Sequence, residues 1–497
     1  MIVSSFGRKR TDPIQLYSPS ASSFPPSQGL SMGKTVWSST SSTWSSFASL
    51  PSWCSFEGVT CNINSTSPTY ASIITIDIGG RNLAGSLPSS IGNFQSVSLF
   101  NLSDNHINGT IPDTISSMVM LQTLNLNTNS LTGVFPGTIG ALTGLNTLSL
   151  HTNILSGPLP STMSALASLF SLKLYSNNLS GKIPGGMFTS MGIMSILDLS
   201  TNFFTGMIPS SIGAMKNLTH LVLNTNSFIG SIPSTISALT LLNDLQLYSN
   251  SLNGTIPNAI SAMSQLRIMN LSGNLLHGTI PSTISTLVSL TILDLHSNSL
   301  NGTIPSTIST MTSLSTISLQ LNSLVGTIPS TISSLTALKI LSFNSNYFTG
   351  TLPSNLGALQ SLTLLTLDEN SLTGTIPTGI GALILLEYLY LSNNCLVGTI
   401  PANIGALTRL VELSAYSNSL VGTIPASMSA LSVLRKLNLH SNYLTMGSSS
   451  SLPSSTFSAT TLNSGYLNIS INCLAFTYGT YIVTANHCAP TMNPTAG

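Results

Sequence analysis

Charged residues are scarce in this sequence. Together, Lys, Arg, Asp and Glu make up 5% of its 497 residues, against roughly 25% in an ordinary soluble domain. The formal net charge is only +1. Because so weak a field does not attract charged polymers over long distances, the composition argues against nucleic acid or an anionic membrane as the partner. Ser, Thr and Asn must therefore provide the polar surface.

The sequence also lacks a hydrophobic run long enough to cross a bilayer. The best local candidate, at 384–386, is interrupted by Glu387, so we predict no transmembrane segment. The basic segment 8–10 is not followed by the apolar stretch of a secretory signal peptide. We interpret the N-terminus as incomplete or misassigned, and export by another route is the alternative.

Motifs of enzyme chemistry are missing as well. We find no phosphate-binding loop and no metal-binding helix motif. The sequence therefore predicts a protein that is not an enzyme, with no cofactor, no metal site and no catalytic residue.

What the sequence does contain is a repeat of fixed length. Asn298 lies 24 residues after Asn274, which lies 24 residues after Asn250, and the spacing continues in both directions with one longer repeat near 185–187. Each repeat reads L-x-L-x-x-N-x-L, which resembles the leucine-rich-repeat signature. The resemblance implies an α/β-type solenoid of 24-residue units, with a parallel β-sheet on the concave face, an irregular convex side and capped ends.

The asparagine of each repeat is predicted to be structural. L-x-L places two leucines on one face of a short strand. The asparagine that follows has donors and an acceptor for backbone groups that are unpaired where the chain leaves the strand. The predicted ladder consists of Asn250, Asn274, Asn298, Asn322, Asn346, Asn370, Asn394 and Asn418.

The repeats divide the chain into four parts. Residues 1–50 are rich in Ser and Pro and are predicted to be disordered or a short capping segment. Residues 51–75 are predicted to form a cysteine-containing N-terminal cap, followed by the array at 76–447. Residues 448–497 are predicted to hold a degenerate last repeat and a cysteine-containing C-terminal cap.

Cysteines and glycosylation motifs favour an extracellular protein. Two close cysteine pairs flank the array, which predicts end-cap disulfides and an oxidising compartment. These residues are Cys54, Cys61, Cys473 and Cys488. We interpret the remaining Cys395 as a partly buried substitution for the usual Ser, and intermolecular bonding is the alternative. The N-x-S/T sequons lie at Asn64, Asn101, Asn108, Asn178, Asn217, Asn253, Asn270, Asn301 and Asn468.

The segment before the array allows a narrower comparison. A cysteine pair with Gly58-Val59-Thr60-Cys61 resembles the N-terminal cap of plant-type extracellular leucine-rich-repeat proteins, although that family usually has Trp at the place of Phe56. This resemblance implies a 3₁₀-like convex side and extracellular protein, peptide or glycan ligands. The Gly-Thr-Ile-Pro-Ser-Thr-Ile repeats and the ending at 486–491 are closest in style to leucine-rich surface antigens of kinetoplastid flagellates. Both resemblances imply a cell-surface or secreted protein.

Large side chains interrupt the small polar residues of the predicted concave face. Equivalent outward positions of successive repeats form columns along this face, and a solenoid binds its ligands there. The densest cluster lies on four consecutive repeats, which cover about 15 Å and suit a peptide segment or a short glycan. The alternative is a solvated face that retains a few charges for solubility. The predicted ligand-binding residues are Tyr248, His296, Asp368, Glu369, Glu387, Tyr388, Tyr390, Glu412, Tyr416 and His440.

Two other patterns suggest different functions. His220 and Asp244 share a column, with Asp198 one repeat earlier, as in part of an acid–base site; we interpret them as surface residues of neighbouring strands. A row of threonines resembles an ice-binding surface, although threonine is also a good strand residue. This row is Thr255, Thr279, Thr303, Thr327, Thr351, Thr375, Thr399 and Thr423.

These observations predict an extracellular or cell-surface recognition protein that binds protein, peptide or glycan ligands through the concave face. A structural or protective surface-coat glycoprotein without a specific ligand is the alternative, and an ice-binding solenoid is a remote one. The sequence leaves the oligomeric state open.

Overall fold

The computed structural model describes residues 58–63, 71–445, 467–468, 476–478 and 481–483. The prediction for residues 1–50 lies outside this part of the chain, as do the predictions for Cys54, Asn64, Cys473 and Cys488. Cys61 is disulfide-bonded. Cys395 is free and exposed, so its interpretation as partly buried was wrong, because the next residue, Leu396, is the one that enters the core. The proposed boundaries of the caps stay a prediction.

One short strand per repeat builds the concave sheet. Leu293 and Leu295 are fully buried, whereas Asp294 between them remains partly exposed, as the strand period of two requires. Neighbouring strands are parallel and pair residues one repeat apart, such as Ile292 with Thr316. Within the described residues this gives an 18-stranded sheet, whose first strand pairs antiparallel with the second. The strands are Val59–Ile63, Ala71–Asp77, Leu99–Asn101, Thr123–Asn125, Thr147–Ser149, Ser171–Lys173, Ile196–Asp198, His220–Val222, Asp244–Gln246, Ile268–Asn270, Ile292–Asp294, Thr316–Ser318, Ile340–Ser342, Leu364–Thr366, Tyr388–Tyr390, Glu412–Ser414, Lys436–Asn438 and Leu467–Asn468.

The predicted asparagines form a ladder of hydrogen bonds. Asn298 Nδ2 donates to the carbonyls of Leu271, Leu295 and His296 at 3.0–3.2 Å. Its Oδ1 accepts from the N–H of Leu276 in the preceding repeat at 3.0 Å. The other seven predicted asparagines form the same set of bonds. Each asparagine thus satisfies buried backbone groups and joins two repeats.

A second set of strands follows the asparagines and forms the lateral face. These strands are also parallel but staggered by two residues, so that Ser180 pairs with Phe203. The strands are Ala84–Ser86, His106–Thr110, Ser130–Val134, Ile154–Gly157, Asn178–Lys182, Phe203–Gly206, Ser227–Ser231, Ser251–Asn253, His277–Thr279, Ser299–Asn301, Val325–Thr327, Tyr347–Thr351, Ser371–Thr373, Val397–Gly398, Ser419–Thr423 and Tyr443–Thr445. An antiparallel pair, Phe476–Tyr478 with Tyr481–Val483, lies near the C-terminus.

Short 3₁₀ helices form the convex side, as the family resemblance implied. A proline in extended conformation precedes most of them, because its fixed φ and missing N–H suit the start of a helix. The longer repeat has turns at 185–190 instead of a 3₁₀ helix. The helices are Ser89–Asn93, Asp113–Ser117, Ile139–Ala141, Ser161–Ala165, Ser210–Ala214, Ser234–Ala238, Asn258–Ala262, Ser282–Thr286, Ser306–Thr310, Ser330–Ser334, Leu356–Ala358, Thr378–Ala382, Ala402–Ala406 and Ala426–Ala430.

Hydroxyl side chains connect these helices from one repeat to the next. The Thr331 hydroxyl donates to the Ser306 carbonyl at 3.1 Å, and the Thr310 hydroxyl donates to the Ser285 carbonyl at 3.0 Å. Similar bonds recur along much of the array. The abundance of Ser and Thr therefore has a structural cause, because short hydroxyls can satisfy carbonyls that the 3₁₀ helices leave unpaired.

The threonine row also has a packing role. Each of its members is exposed, yet the Thr279 γ-methyl packs against Gly302 of the next repeat. A Cβ on Gly302 would lie 2.7 Å from that methyl carbon. The same arrangement joins Thr255 to Gly278. The regular spacing of the threonines therefore has a cause within the fold and requires no ligand.

No helix in the described part of the chain has the length and hydrophobicity that a membrane crossing needs.

Candidate functional site

Six predicted residues lie together on the concave strands and the turns that follow them: Asp368, Tyr388, Tyr390, Glu412, Tyr416 and His440. We call this group the C-terminal patch. Tyr388 and Glu412 occupy paired positions of adjacent strands. Tyr390 is two residues after Tyr388 and thus points to the same side. The 24-residue spacing of the sequence likewise predicts that these side chains lie in neighbouring repeats.

A stacked aromatic pair forms one side of the C-terminal patch. The rings of Tyr416 and His440 have centroids 4.5 Å apart and an interplanar angle of 14°. The side-chain amide of Asn393 donates to the Tyr416 hydroxyl at 3.2 Å, and burial lowers the pKa of His440. The Tyr416 ring is therefore held in place by a neighbouring ring and a hydrogen bond before any ligand binds.

A second aromatic pair lies beside an ion pair. Tyr388 and Tyr390 have ring centroids 6.5 Å apart. Glu412 forms a salt bridge with Lys436, and its side chain is only 16% exposed. Burial and the neighbouring Glu412 raise the pKa of Tyr390 above its usual range, so this tyrosine is a neutral hydrogen-bonding group at all physiological pH values.

Asp368 is the most perturbed carboxyl of the patch. Burial raises its pKa from 3.8 to about 6; a backbone hydrogen bond opposes this shift, and Glu369 adds to it. A cationic group on a ligand would stabilise the ionised form of Asp368 and offset part of the free energy that burial of the charge costs.

Replacing Asp368 by asparagine is expected to remove a pH dependence of stability. Because the folded-state pKa of about 6 exceeds the ordinary value of 3.8, the folded protein retains a proton that the unfolded chain releases in this interval. The free energy of unfolding should therefore fall as pH rises from about 4 to about 6, by on the order of 2 kcal/mol, and level off above that range. Urea titrations of the native chain and Asp368→Asn across this range measure the difference. Equal pH dependence in both proteins would contradict the raised pKa.

Four predicted residues lie outside the patch. Glu369 is exposed in the turn, at φ 55°, and accepts a hydrogen bond from Ser345. Glu387 directly precedes the strand Tyr388–Tyr390. In the alternation of a strand it falls on the same side as the core residue Leu389, at the end where the strand begins. Both acids therefore lie at the margin of the patch, and their assignment as ligand-binding residues stays a prediction.

The other two, Tyr248 and His296, share a column two repeats apart, with Ser272 between them. His296 Nδ1 contacts Asp294 Oδ1 at 2.6 Å. The structure does not bring Tyr248 or His296 into contact with the C-terminal patch.

Sequence reasoning missed several residues that organise the patch. Asn393 supports Tyr416, and the Ser392 and Ser414 hydroxyls contact each other at 2.9 Å. Lys436 lies one repeat after Glu412 and neutralises it, because adjacent strands pair residues 24 apart.

The acid–base interpretation gains no support from the side-chain geometry. His220 and Asp244 occupy paired strand positions. However, His220 Nδ1 contacts the Thr219 hydroxyl, whereas Asp244 accepts from Gln246. Across the described ranges, no three His, Cys, Asp or Glu residues are close enough to hold a metal ion.

The sequons differ in exposure. Asn101 and Asn270 are partly buried on concave strands, and Asn101 donates to Asp77 at 2.7 Å. The side chain of Asn468 is outside the described part. The exposed sequons are Asn108, Asn178, Asn217, Asn253 and Asn301.

Family models for leucine-rich repeats match several parts of the array. One leucine rich repeat model matches residues 119–179, and another matches 96–118, 217–239, 265–287 and 385–407. The LRR domain model of the EGF-like domain-containing protein ComC matches residues 282–386. No curated protein sequence gives a significant match.

Solved structures match the array over most of its length. A TDR receptor is 32% identical with a TM-score of 0.74, covering 80% of this chain and 68% of that one. The plant peptide hormone receptor RGFR1, in complex with RGF2, is 32% identical with a TM-score of 0.69 and coverages of 79% and 72%. The LRR ectodomain of the Arabidopsis receptor kinase HAESA, in complex with an N-terminally extended IDA peptide hormone ligand, is 26% identical with a TM-score of 0.66 and coverages of 88% and 92%. This chain therefore belongs to the leucine-rich-repeat family, in the plant-type form of these receptors.

Proposed function

We propose that this chain is an extracellular or cell-surface recognition protein that binds a protein or peptide through the C-terminal patch. Among the similar structures, the peptide hormone receptor RGFR1 is in complex with RGF2, and HAESA is in complex with a peptide hormone ligand. Disulfide-bonded Cys61 and the exposed sequons support extracellular placement. We propose a binding role without catalysis.

The observation that carries this proposal is the combination of an aromatic ring fixed by its neighbours, Tyr416, with a carboxyl, Asp368, that has no salt-bridge partner within the described residues. Tyr416 is stacked on His440 and bonded to Asn393, so little conformational entropy is lost when a ligand contacts it. Glu412 is neutralised by Lys436, whereas within the described residues Asp368 has no salt-bridge partner. Buried aromatic side chains and desolvated charges are the groups that dominate binding energy at protein interfaces.

The geometry favours an extended peptide with a basic side chain. Four repeats span about 15 Å, which accommodates roughly four or five residues of extended chain. A Lys or Arg directed at Asp368 would place its neighbours against Tyr390 and Tyr416. The similarity to kinetoplastid surface antigens, a glycan ligand and a coat function without a ligand stay predictions of the sequence, and ice binding stays a remote one.

A peptide-display selection on the purified chain tests the proposal. Linear peptides of about ten residues are displayed, and we expect enrichment of sequences that combine Lys or Arg with an aromatic residue. Replacing Tyr416 by alanine should weaken binding of an enriched peptide roughly 30-fold, the effect of a central interface residue. Affinity is measured by calorimetry.

Tyr347 provides the matched control. It is 62% exposed on the lateral face, so Tyr347→Ala removes the same side chain away from the patch and should leave the affinity unchanged. If no peptide is enriched, or if both variants bind equally well, the C-terminal patch is not a peptide site.

A further inference from the structure

A second group of concave side chains lies near the other end of the array, separate from the C-terminal patch. The His151 and Tyr175 rings are stacked with centroids 4.1 Å apart and an interplanar angle of 8°. The side-chain amide of Asn127 lies 2.7 Å from His151 Nε2, and the Thr152 hydroxyl lies 3.3 Å from Nδ1. Contacts on both ring nitrogens fix His151, and His151 in turn covers one face of Tyr175.

The other face of Tyr175 is directed at a small residue. The next position in the column is Ser200, whose backbone carbonyl accepts the N–H of Ser176 at 3.1 Å. Ser200 is short and buried, so its side chain cannot stack on Tyr175 as the His151 ring does. Asn224, on the following repeat, is also short and is buried. We call Tyr175, Ser200, Asn224, Lys173 and Asp198 the Tyr175 shelf.

Groups of opposite charge border the shelf. Lys173 and Asp198 occupy paired positions of adjacent strands, and within the described residues Lys173 forms no salt bridge. Ser200 donates its N–H and its hydroxyl to one oxygen of Asp198, at 3.0 and 2.7 Å. The second carboxylate oxygen of Asp198 has no hydrogen-bond partner among the described residues, so it is available as an acceptor.

This combination selects a neutral ligand rich in hydroxyl groups. An anion would be repelled by Asp198 and a cation by Lys173, whereas a hydroxyl can donate to the carboxylate and accept from the ammonium. A pyranose ring also presents a flat face of C–H groups, which suits the open face of Tyr175.

From this geometry we infer that the Tyr175 shelf binds a neutral sugar residue, stacked on Tyr175 with its hydroxyls bonded to Lys173 and Asp198. This site does not depend on the peptide site, which lies ten repeats further along the array.

Calorimetry with four neutral hexasaccharides tests the inference: β-1,4-linked glucose, β-1,4-linked N-acetylglucosamine, β-1,4-linked mannose and α-1,4-linked glucose. The full chain is treated with a glycosidase beforehand so that its own glycans cannot occupy the shelf. We expect at least one hexasaccharide to bind with a Kd below about 1 mM. Tyr175→Leu should weaken this binding at least tenfold, whereas Tyr175→Phe, which keeps the ring, should stay within about threefold.

The matched control is Tyr347→Leu, which makes the same substitution on the lateral face and should bind like the native chain. Thermal unfolding of each variant confirms that the array is folded. If none of the four hexasaccharides binds with a Kd below about 1 mM, or if Tyr175→Leu weakens the binding less than tenfold, the shelf is not a sugar site.

Discussion

Replacing Asn346 by alanine is expected to lower the free energy of unfolding by about 3 kcal/mol or more. Asn346 is only 5% exposed and donates to the carbonyls of Leu319, Phe343 and Asn344 at 3.0–3.3 Å. Its Oδ1 accepts from the Leu324 N–H at 3.0 Å. Alanine leaves that buried N–H without its acceptor, and an unsatisfied buried group costs roughly 1 to 3 kcal/mol by itself.

Urea unfolding followed by circular dichroism measures this loss. Because a solenoid is held together by contacts between neighbouring repeats, a weakened repeat can also split one transition into two. Asn258→Ala is the matched control, since Asn258 is exposed in a 3₁₀ helix and should change stability by less than about 0.5 kcal/mol. An Asn346→Ala variant as stable as this control would contradict the ladder.

Replacing Gly302 by alanine is expected to cost about 2 to 4 kcal/mol through two separate effects. Gly302 has φ +73°, which an alanine adopts only with strain, and the added Cβ would lie 2.7 Å from the Thr279 γ-methyl. The clash involves the methyl, whereas the strain belongs to the backbone. A second substitution can therefore separate the two.

A double-mutant cycle with Thr279→Ser makes that separation. Serine removes the methyl, so the double variant should recover roughly 1 to 2 kcal/mol of the loss in Gly302→Ala. Gly137→Ala is the control, because a Cβ there meets nothing within 4 Å. If Thr279→Ser restores no stability, the threonine row does not pack as the structure shows.

The repeat fold could be predicted because its signal recurs in every unit. The leucine positions follow from the strand period, and the role of an asparagine such as Asn298 follows from the donors and acceptor that a buried turn needs. The inter-repeat bonds of residues such as Thr331 could not be predicted in the same way. They depend on where the 3₁₀ helix of one repeat lies against the next, which periodicity does not determine.

The candidate site was predicted only in part, because its repeats carry unrelated side chains. Column positions placed Tyr390, Tyr416 and His440 together, since residues 24 apart meet across parallel strands. Glu387 precedes its strand and shares the strand alternation of the buried Leu389, so its place beside the patch depends on its side-chain conformation. The contact of Asn393 with Tyr416 depends on side-chain rotamers, which sequence spacing does not specify.

The charge distribution predicts different specificities for the two proposed concave sites. In the C-terminal patch Asp368 is not neutralised by a salt bridge within the described residues, which favours a basic ligand. On the Tyr175 shelf Lys173 and Asp198 balance each other, which favours a neutral one. In a chain with 5% charged residues, a few such groups are enough to distinguish ligands.

Photo-crosslinking of a display-selected peptide tests the central claim most directly. The peptide carries a photoreactive phenylalanine at its aromatic position and is irradiated on the native chain, and the linked residues are mapped by mass spectrometry. The account predicts crosslinks within 388–393 and 412–417, around Tyr390 and Tyr416. Crosslinks confined to the lateral strands or to the repeats before residue 346 would show that the peptide binds elsewhere and would contradict recognition by the C-terminal patch.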